Sequence, residues 1–223
     1  MFFEIMTIIV ICVVLFLATV VNASCAQSVK RLLNTEDLFE QVSAINDVKF
    51  ERQISPSLTW AKKNGFEFEG FFLLHAQDSG IPIKCASWWS EQHKTFFLIY
   101  LAEDDAKTRI MHDFVTPFNN NGSLTSCTNI DGLLLPRPKQ ELAQYIKSKD
   151  LNFIKNTHFR SVKMLCKKRN LSVKKNKGDL EQYISSAIKS QAELIISLPF
   201  WKYRGAYWYF IKKYYLSLKN YSK

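Results

Sequence analysis

The sequence predicts an α+β domain: a five-stranded antiparallel meander at about residues 66–129, flanked by N-terminal and C-terminal helices and preceded by one N-terminal transmembrane helix. Three observations support this fold class: an uncharged apolar run at residues 5–21, five strand-like runs separated by short polar turns, and helical periodicity on both sides of them. Short connections between consecutive strands indicate antiparallel pairing, and helices gathered outside the strand region are typical of the α+β class. We expect these helices to cover one face of the sheet.

The composition is that of one packed domain. The chain has 223 residues, of which 47% are hydrophobic and 22% charged, and a chain of this length buries enough surface to fold unaided. The cysteines are scattered, with no Cys-x-x-Cys pair and no partner at zinc-ligand spacing. We therefore expect no metal site and no cofactor. Reduced thiols are expected because a domain this large needs no disulfides, and two disulfides among the four cysteines outside the apolar run are the alternative.

The N-terminal run IMTIIVICVVLFLATVV has threonine as its only polar residue type, and nothing charged follows it until Lys30. Its length is at the short end of what crosses a hydrocarbon core of about 30 Å. The residues before it, MFFE, carry an acid and no Lys or Arg, whereas a signal peptide begins with positive charge. Residues 1–29 are therefore predicted to be an uncleaved single-pass anchor.

The residues that flank this run predict the orientation of the anchor. Lys30 and Arg31 follow it, and positive residues favour the cytoplasmic side, so we expect the globular domain to face the cytoplasm. The alternative is a cleaved signal peptide, because Val21-Asn22-Ala23 resembles the small-x-small pattern before a cleavage site. The protein would then be secreted or periplasmic.

The globular part, predicted at residues 30–198, begins with two helical patterns. Asn34 or Thr35 is a suitable cap for a short helix, with apolar residues at helical spacing up to Ile45. A second helix is predicted to begin at Ser55, with Pro56 at its first position, and to end at the Asn-Gly pair at residues 64–65.

Five strands are predicted next, in the runs FEFEGFFLLHA, IPIKCASWWS, TFFLIYLA, RIMHDFVTPF and SLTSCTN. The run FFLIYL is apolar on both faces and is typical of a central strand, while Gly70 predicts a bulge in the first strand. Trp88 and Trp89 must point to opposite faces, so one is expected in the core and the other against a helix or a ligand.

Three helices are predicted after the sheet. Leu142, Tyr145 and Ile146 indicate the first, and a stripe from Leu151 to Leu165 indicates the second. The third is expected to begin after Asp179, which with Gln182 resembles a capping box. His158 lies on the apolar stripe of the second helix, where a hydrogen-bonded core histidine is expected.

The C-terminal segment, residues 199–223, is rich in aromatic and basic residues. A helical wheel predicts one amphipathic helix, with Ser197 as its cap and Pro199 in its first turn. The helix is expected to pack on the domain or to lie at the membrane surface, where rings and lysines suit the headgroup zone. The candidate membrane-surface residues are Trp201, Trp208, Lys202, Lys212 and Lys213.

The formal net charge of +10 predicts an anionic partner. Beside a membrane, lipid headgroups are the nearest source of negative charge, and an acidic protein is the second candidate. Nucleic acid is disfavoured, because the strands carry no ribonucleoprotein signature and the helices no recognition-helix arrangement.

The candidates for chemistry are polar residues on the predicted strands. Among them, His112 and Asp113 are neighbours on one strand and must point to opposite faces, so they are not expected to act together. Cys85 or Cys127 together with His75 or His112 would form a thiol nucleophile and its base. No local motif supports such a pair, and isolated strand cysteines are commonly buried apolar residues. The sequence therefore favours a membrane-anchored, non-catalytic binding or scaffolding module. The alternatives are a small hydrolase or transferase that uses the Cys/His pair and a basic RNA-binding domain.

Overall fold

A computed structural model of the chain describes residues 2–34, 38–75, 81–104, 107–130, 133–212 and 221–222. The elements are α1 (Phe2–Arg31), β1 (Phe39–Val42), α2 (Val48–Lys63), β2 (Glu67–Leu74), β3 (Ile83–Ser90), β4 (Thr95–Asp104), β5 (Lys107–Pro117), β6 (Ser123–Cys127), β7 (Glu141–Tyr145), α3 (Leu151–Arg169) and α4 (Leu180–Ser197). A 3₁₀ turn (Trp201–Tyr203) and a π-helical turn (Tyr207–Ile211) follow α4.

The strands form one mixed sheet of seven, ordered as they occur in the chain. All neighbouring pairs are antiparallel except β6 and β7, which are parallel. The five predicted strands are confirmed as β2 to β6, and the α+β class is confirmed with them. The predicted bulge is also present, because the register between β2 and β3 shifts between Phe68 and Gly70.

Both edge strands lie where helices were predicted, and those two predictions are wrong. β1 replaces the helix expected between Asn34 and Ile45, and Phe39 stacks on Phe72 of β2 with ring centroids 4.7 Å apart. β7 replaces the helix expected at Leu142. In both segments the pairing with a neighbouring strand satisfies the backbone donors and acceptors, and this gain outweighs a weak local helical pattern.

Helix α2 starts earlier than predicted. Asp47 is its N-cap and accepts hydrogen bonds from the N–H groups of Lys49 and Phe50, at 2.8 and 3.1 Å. Ser55 is therefore not the cap, and Pro56 lies inside the helix. The predicted end is confirmed, since Asn64 is the C-cap. Helices α3 and α4 also match their predictions, and Asp179 caps α4.

Helices cover both faces of the sheet, not one. On the first face, α2 and α3 pack against a core that contains Trp88 and Phe97. On the second face, the N-terminal half of α4 packs against a core that contains Trp89 and Phe96. Both tryptophans are buried, so the sheet is the middle layer of three.

The C-terminal segment is not the single helix that was predicted. Helix α4 runs through Ser197, so this residue ends a helix and does not cap one. The helical run is interrupted at Phe200, whose φ of +56° lies in the left-handed region. The 3₁₀ turn at Trp201–Tyr203 follows, and α-helical geometry resumes at Gly205. The break lets Trp208 turn towards α1, where its ring is buried.

Helix α1 has two parts. Residues 5–20 are uncharged, nearly all apolar and almost all exposed, and the helix is long and apolar enough to cross a membrane. From Val21 onward the helix packs on the domain, and Cys25 and Val29 form a small core with Ala192 and Trp208. Gly205 permits this contact, because a Cβ atom there would lie 2.7 Å from the Cβ atom of Cys25.

Candidate functional site

The register of the sheet separates the candidate thiols from the candidate imidazoles. Cys85 pairs with Phe72 and Tyr100 on the face that α4 covers, whereas His112 pairs with Ile99 on the opposite face. Cys127 pairs with Asp113 and also lies on the α4 face. Neither Cys85 nor Cys127 can therefore reach His112 through the sheet.

The remaining imidazole candidate, His75, lies at the outer edge of the sheet. Its Nε2 atom is 3.1 Å from Oε2 of Glu40, and strands β3 to β5 separate it from Cys127. Cys85 is on an adjacent strand, but it pairs with Phe72, three residues from His75, so the two side chains point to opposite faces. This arrangement cannot form the predicted Cys/His pair.

Burial also makes both thiols poor nucleophiles. It raises the pKa of Cys85 and of Cys127 well above the usual range, so the thiolate is scarce at neutral pH. The Sγ atom of Cys127 donates to the carbonyl oxygen of Asn129 at 3.2 Å. Burial lowers the pKa of His112 to about 4, and its ring stacks on Phe97 with centroids 6.2 Å apart. The side chains of Cys85, Cys127 and His112 are thus packed within the sheet.

His158 is the hydrogen-bonded core histidine that was expected. Its side chain is fully buried, with Nε2 2.8 Å from the hydroxyl of Thr116 and Nδ1 2.7 Å from the hydroxyl of Ser126. Ser126 also accepts a hydrogen bond from the side-chain amide of Gln144, and the hydroxyl of Thr116 is also hydrogen-bonded to that of Thr95. Side chains of α3 are thus linked to strands β4 to β7 by one buried polar network.

The proton positions in this network follow from its ends. Thr95 donates its only hydroxyl proton to the carbonyl oxygen of His93, so it must accept from Thr116. Thr116 then accepts from Nε2–H of His158, and Nδ1 accepts from Ser126. The imidazole is therefore neutral, and burial lowers its pKa to about 3. Because no side of His158 is open to solvent, its role is structural.

A cavity of about 190 Å³ lies between the sheet and α4. Its walls are mostly apolar, including Leu98, Ile184 and Ile188, but polar groups from four elements converge on it. Asp113 comes from β5, Arg137 from the loop before β7, Glu141 from β7 and Tyr183 from α4. An apolar lining with a few convergent polar groups is typical of binding sites, and the small volume suits only a small ligand or group.

Asp113 and Tyr183 are the unusual members of this group. No described residue forms a hydrogen bond or an ion pair with the carboxyl group of Asp113. Burial raises the pKa of Asp113 to about 7, an effect that the charge of Arg137 opposes. The hydroxyl of Tyr183 is buried and forms no hydrogen bond of good geometry among the described residues. Ser123, whose hydroxyl lies beside it, donates its proton to Glu141 at 2.5 Å. A buried hydroxyl without a partner among the described residues, such as that of Tyr183, is rare in proteins and marks a place where a ligand can complete the bonding.

Two wider cavities adjoin the first. One of about 380 Å³ shares Glu141 and Tyr183 with it, and another of about 660 Å³ shares Arg137 and Glu141. Burial raises the pKa of Glu141 and lowers that of Arg137.

Among the described residues, no group of His, Cys, Asp or Glu side chains is arranged to hold a metal ion.

The candidate membrane-surface residues are placed differently from one another. Trp208 is 3% exposed and its ring faces α1, so this ring does not reach a surface. Trp201 is half-buried against the same small core, while Lys202 is exposed. Lys212 is half-buried and donates to the carbonyl oxygen of Leu134 at 2.8 Å. Lys213 lies outside the described residues.

Comparisons of the chain with protein-family models, with curated proteins and with solved structures find no match. Sequence reasoning singled out Asp113 only as a neighbour of His112 and missed Arg137, Glu141 and Tyr183. These residues are distant in the chain, and the sheet and α4 bring them together.

Proposed function

We propose that the chain is a single-pass membrane protein whose α+β domain is a non-catalytic binding or scaffolding module held at the membrane surface. The division of α1 into an exposed apolar part and a packed part is the observation that supports this. Residues 5–20 expose a continuous, largely apolar surface, which is unfavourable in water. At 1.5 Å per residue they rise about 24 Å, at the short end of what crosses a hydrocarbon core of about 30 Å.

The aromatic segment after α4 supports the same placement. Phe200, Tyr203, Tyr207 and Phe210 are exposed, and the segment that carries them contacts α1 at residues 21–25. Large rings that are exposed where a spanning helix leaves the hydrocarbon are suited to the interfacial zone. We propose that these rings, together with the exposed Lys202, rest in the headgroup layer.

The flanking charges favour a cytoplasmic domain. Lys30 and Arg31 form the last turn of α1, whereas Glu4 is the charged residue of its first turn. Positive residues beside a spanning helix tend to stay on the cytoplasmic side. The cavity between the sheet and α4 is the proposed binding site of the module, because Asp113, Arg137, Glu141 and the Tyr183 hydroxyl converge on it.

Fractionation and mass spectrometry test the anchor. The intact chain, with its N-terminal residues present, should remain in the membrane pellet after alkaline extraction. Protease added to sealed inside-out vesicles should degrade the domain, while right-side-out vesicles should protect it. A soluble exported protein that lacks residues 1–23 would refute the anchor and favour a cleaved signal peptide.

A pair of substitutions on one helix provides the matched control. Leu15→Lys places a charge in the middle of the proposed span, at a cost of about 2.5–3.5 kcal/mol on translocon scales, and should reduce membrane insertion. Gln27→Lys adds the same charge to an exposed position beyond the span and should have no effect. Equal insertion of the two variants would contradict the proposed span.

RNA binding receives no support from the arrangement of the sheet. Bases stack on exposed strand aromatics in sheet-type RNA-binding domains, and here Trp88, Trp89, Phe96 and Phe97 are buried under helices. Affinity for RNA that falls steeply with salt would favour this alternative.

A further inference from the structure

We propose that the cleft of about 660 Å³ beside the C-terminal segment binds the phosphate group of an anionic phospholipid headgroup. The basic cleft, as we name it, is lined by Arg137, Lys139, Arg169 and Lys212. The proposal rests on the proposed membrane anchor and identifies the class of lipid that would occupy this site.

The charges of the basic cleft favour an anion. Among the described residues that line it, four side chains are basic and one, Glu141, is acidic. One carboxylate oxygen of Glu141 accepts a hydrogen bond from the hydroxyl of Ser123 on β6. Burial, and then the charge of Arg137, lowers the pKa of Lys212. A bound anion would offset the repulsion between these cations.

The chemistry of the lining suits a phosphate oxygen cluster. Guanidinium groups can bind phosphate through two parallel hydrogen bonds, and lysine adds a compact positive charge. Two tyrosines, Tyr207 and Tyr221, also line the basic cleft, and the Tyr221 ring lies 6.0 Å from the guanidinium carbon of Arg169. The volume is within the range of small-ligand sites, so a complete headgroup has room there.

The basic cleft also lies at the depth of lipid headgroups. Tyr207 follows Ala206, whose N–H group donates to Oδ1 of Asn22 at 2.8 Å. Leu135, on the other wall, packs against the core around Cys25. The α1 positions from Val21 to Cys25 rise about 6 Å beyond the exposed apolar part. The headgroup layer extends about 5–8 Å beyond the hydrocarbon core on each side. A headgroup in the same leaflet can therefore reach the rim of the cleft.

The test is a titration of the full chain in dodecyl maltoside micelles, followed by NMR or by native mass spectrometry. Three probes are compared: dihexanoyl phosphatidylglycerol, dihexanoyl phosphatidylcholine and inorganic phosphate. We expect saturable binding of phosphatidylglycerol and at least tenfold weaker binding of phosphatidylcholine. Lys212→Gln and Arg169→Gln should each weaken phosphatidylglycerol binding about five- to tenfold. Lys63→Gln removes an exposed lysine from the end of α2 and should leave binding unchanged.

Each outcome bears on the proposal. Equal binding of the two lipids, or no effect of Lys212→Gln and Arg169→Gln, overturns it. Inorganic phosphate that binds as tightly as phosphatidylglycerol overturns the assignment to lipid and identifies a site for free phosphate. If Lys212→Gln lowers the thermal midpoint of unfolding, its loss of binding could come from lost stability. Arg169→Gln then decides, because Arg169 is exposed and its substitution should not destabilise the fold. Failure of the anchor in the extraction assay is a separate result, because binding in micelles does not require α1 to span a membrane in cells.

Discussion

His158 should make the domain lose stability in acid, and a glutamine at this position should prevent much of that loss. The buried imidazole has a pKa of about 3 in the folded chain, compared with 6.5 for an unperturbed histidine. Between these two values the unfolded chain binds a proton that the folded chain does not. Stability is therefore full above pH 6.5 and falls as the pH decreases towards 3.

The size of this effect follows from the pKa difference. One pKa unit corresponds to 1.36 kcal/mol. Between pH 6.5 and pH 3, protonation of His158 in the unfolded chain alone therefore lowers the free energy of unfolding by about 5 kcal/mol. A domain of ordinary stability has about 5–15 kcal/mol in total. His112, with its pKa lowered to about 4 by burial, adds a loss of the same sign. Acid unfolding near pH 4 is the expected consequence.

Two variants separate the proton from the hydrogen bonds. In His158→Gln the side chain still offers one donor and one acceptor to Thr116 and Ser126, but it cannot be protonated. In His158→Phe the hydroxyls of Thr116 and Ser126 each lose the hydrogen bond to the imidazole, at a cost of about 1–3 kcal/mol each at any pH, and keep only their bonds to Thr95 and Gln144.

Urea unfolding of the full chain in micelles, followed by circular dichroism from pH 7.5 to pH 3.5, measures all three proteins. The glutamine variant should become more stable relative to the wild type as the pH falls, and the phenylalanine variant should be less stable at pH 7.5. Parallel stability curves for the wild type and His158→Gln would refute the argument, because His158 would then titrate alike in both states.

Three further predictions concern the junction with α1 and the buried thiols. Gly205→Ala should destabilise the domain by about 1–3 kcal/mol in urea unfolding, because the added methyl group would lie 2.7 Å from Cβ of Cys25; unchanged stability would show that α1 does not pack there. Trp208→Ala removes a buried ring and should cost about 3–5 kcal/mol, whereas the same change at the exposed Phe200 should cost little. Iodoacetamide should alkylate Cys166, which is partly exposed, faster than Cys85 and Cys127, since burial raises the pKa of both strand thiols; equal rates in a mass-spectrometric time course would contradict their burial.

The inner strands could be predicted because each combines two local signals. Each run is rich in β-branched or aromatic residues, and polar turn residues bound it on both sides. The edge strands lack the second signal. The segment of β1 fits a helix as well as a strand by its spacing, and what decides is Phe72, which is distant in the chain and stacks on Phe39. Propensity is a weak guide where a tertiary contact of this kind competes with it.

β7 is a harder case because its partner is parallel. A parallel pair needs the chain to return to the same end of the sheet, and the described part of residues 128–140 makes this return through turns and irregular backbone, with Leu133 in a 3₁₀ conformation. The spacing of Leu142 and Ile146 gives no sign of that path. The C-terminal segment has the same difficulty, since the break at Phe200 depends on the contact between Trp208 and α1.

The candidate site could be predicted only in the part that depends on strand alternation. Because neighbours on a strand face opposite ways, the sequence indicated that His112 and Asp113 could not act together, and the structure has them on opposite faces. The meeting of Asp113 with Arg137 and Tyr183 depends on which face α4 covers. Hydrophobic periodicity shows that a helix has an apolar face, but it does not indicate which face of the sheet the helix will cover.

Helix α4 connects the two parts of the molecule on which the functional proposals depend. Its N-terminal half carries Tyr183 and Ile184 over the cavity, and its C-terminal half carries Ala192 and Ile195 against α1. One rigid helix therefore forms a wall of the cavity and a packing surface for the anchor. The C-terminal part of α1 contributes core residues to the domain and is more than a tether. A tether would leave the domain free to turn, whereas this packing holds the basic cleft beside the point where α1 leaves the proposed span.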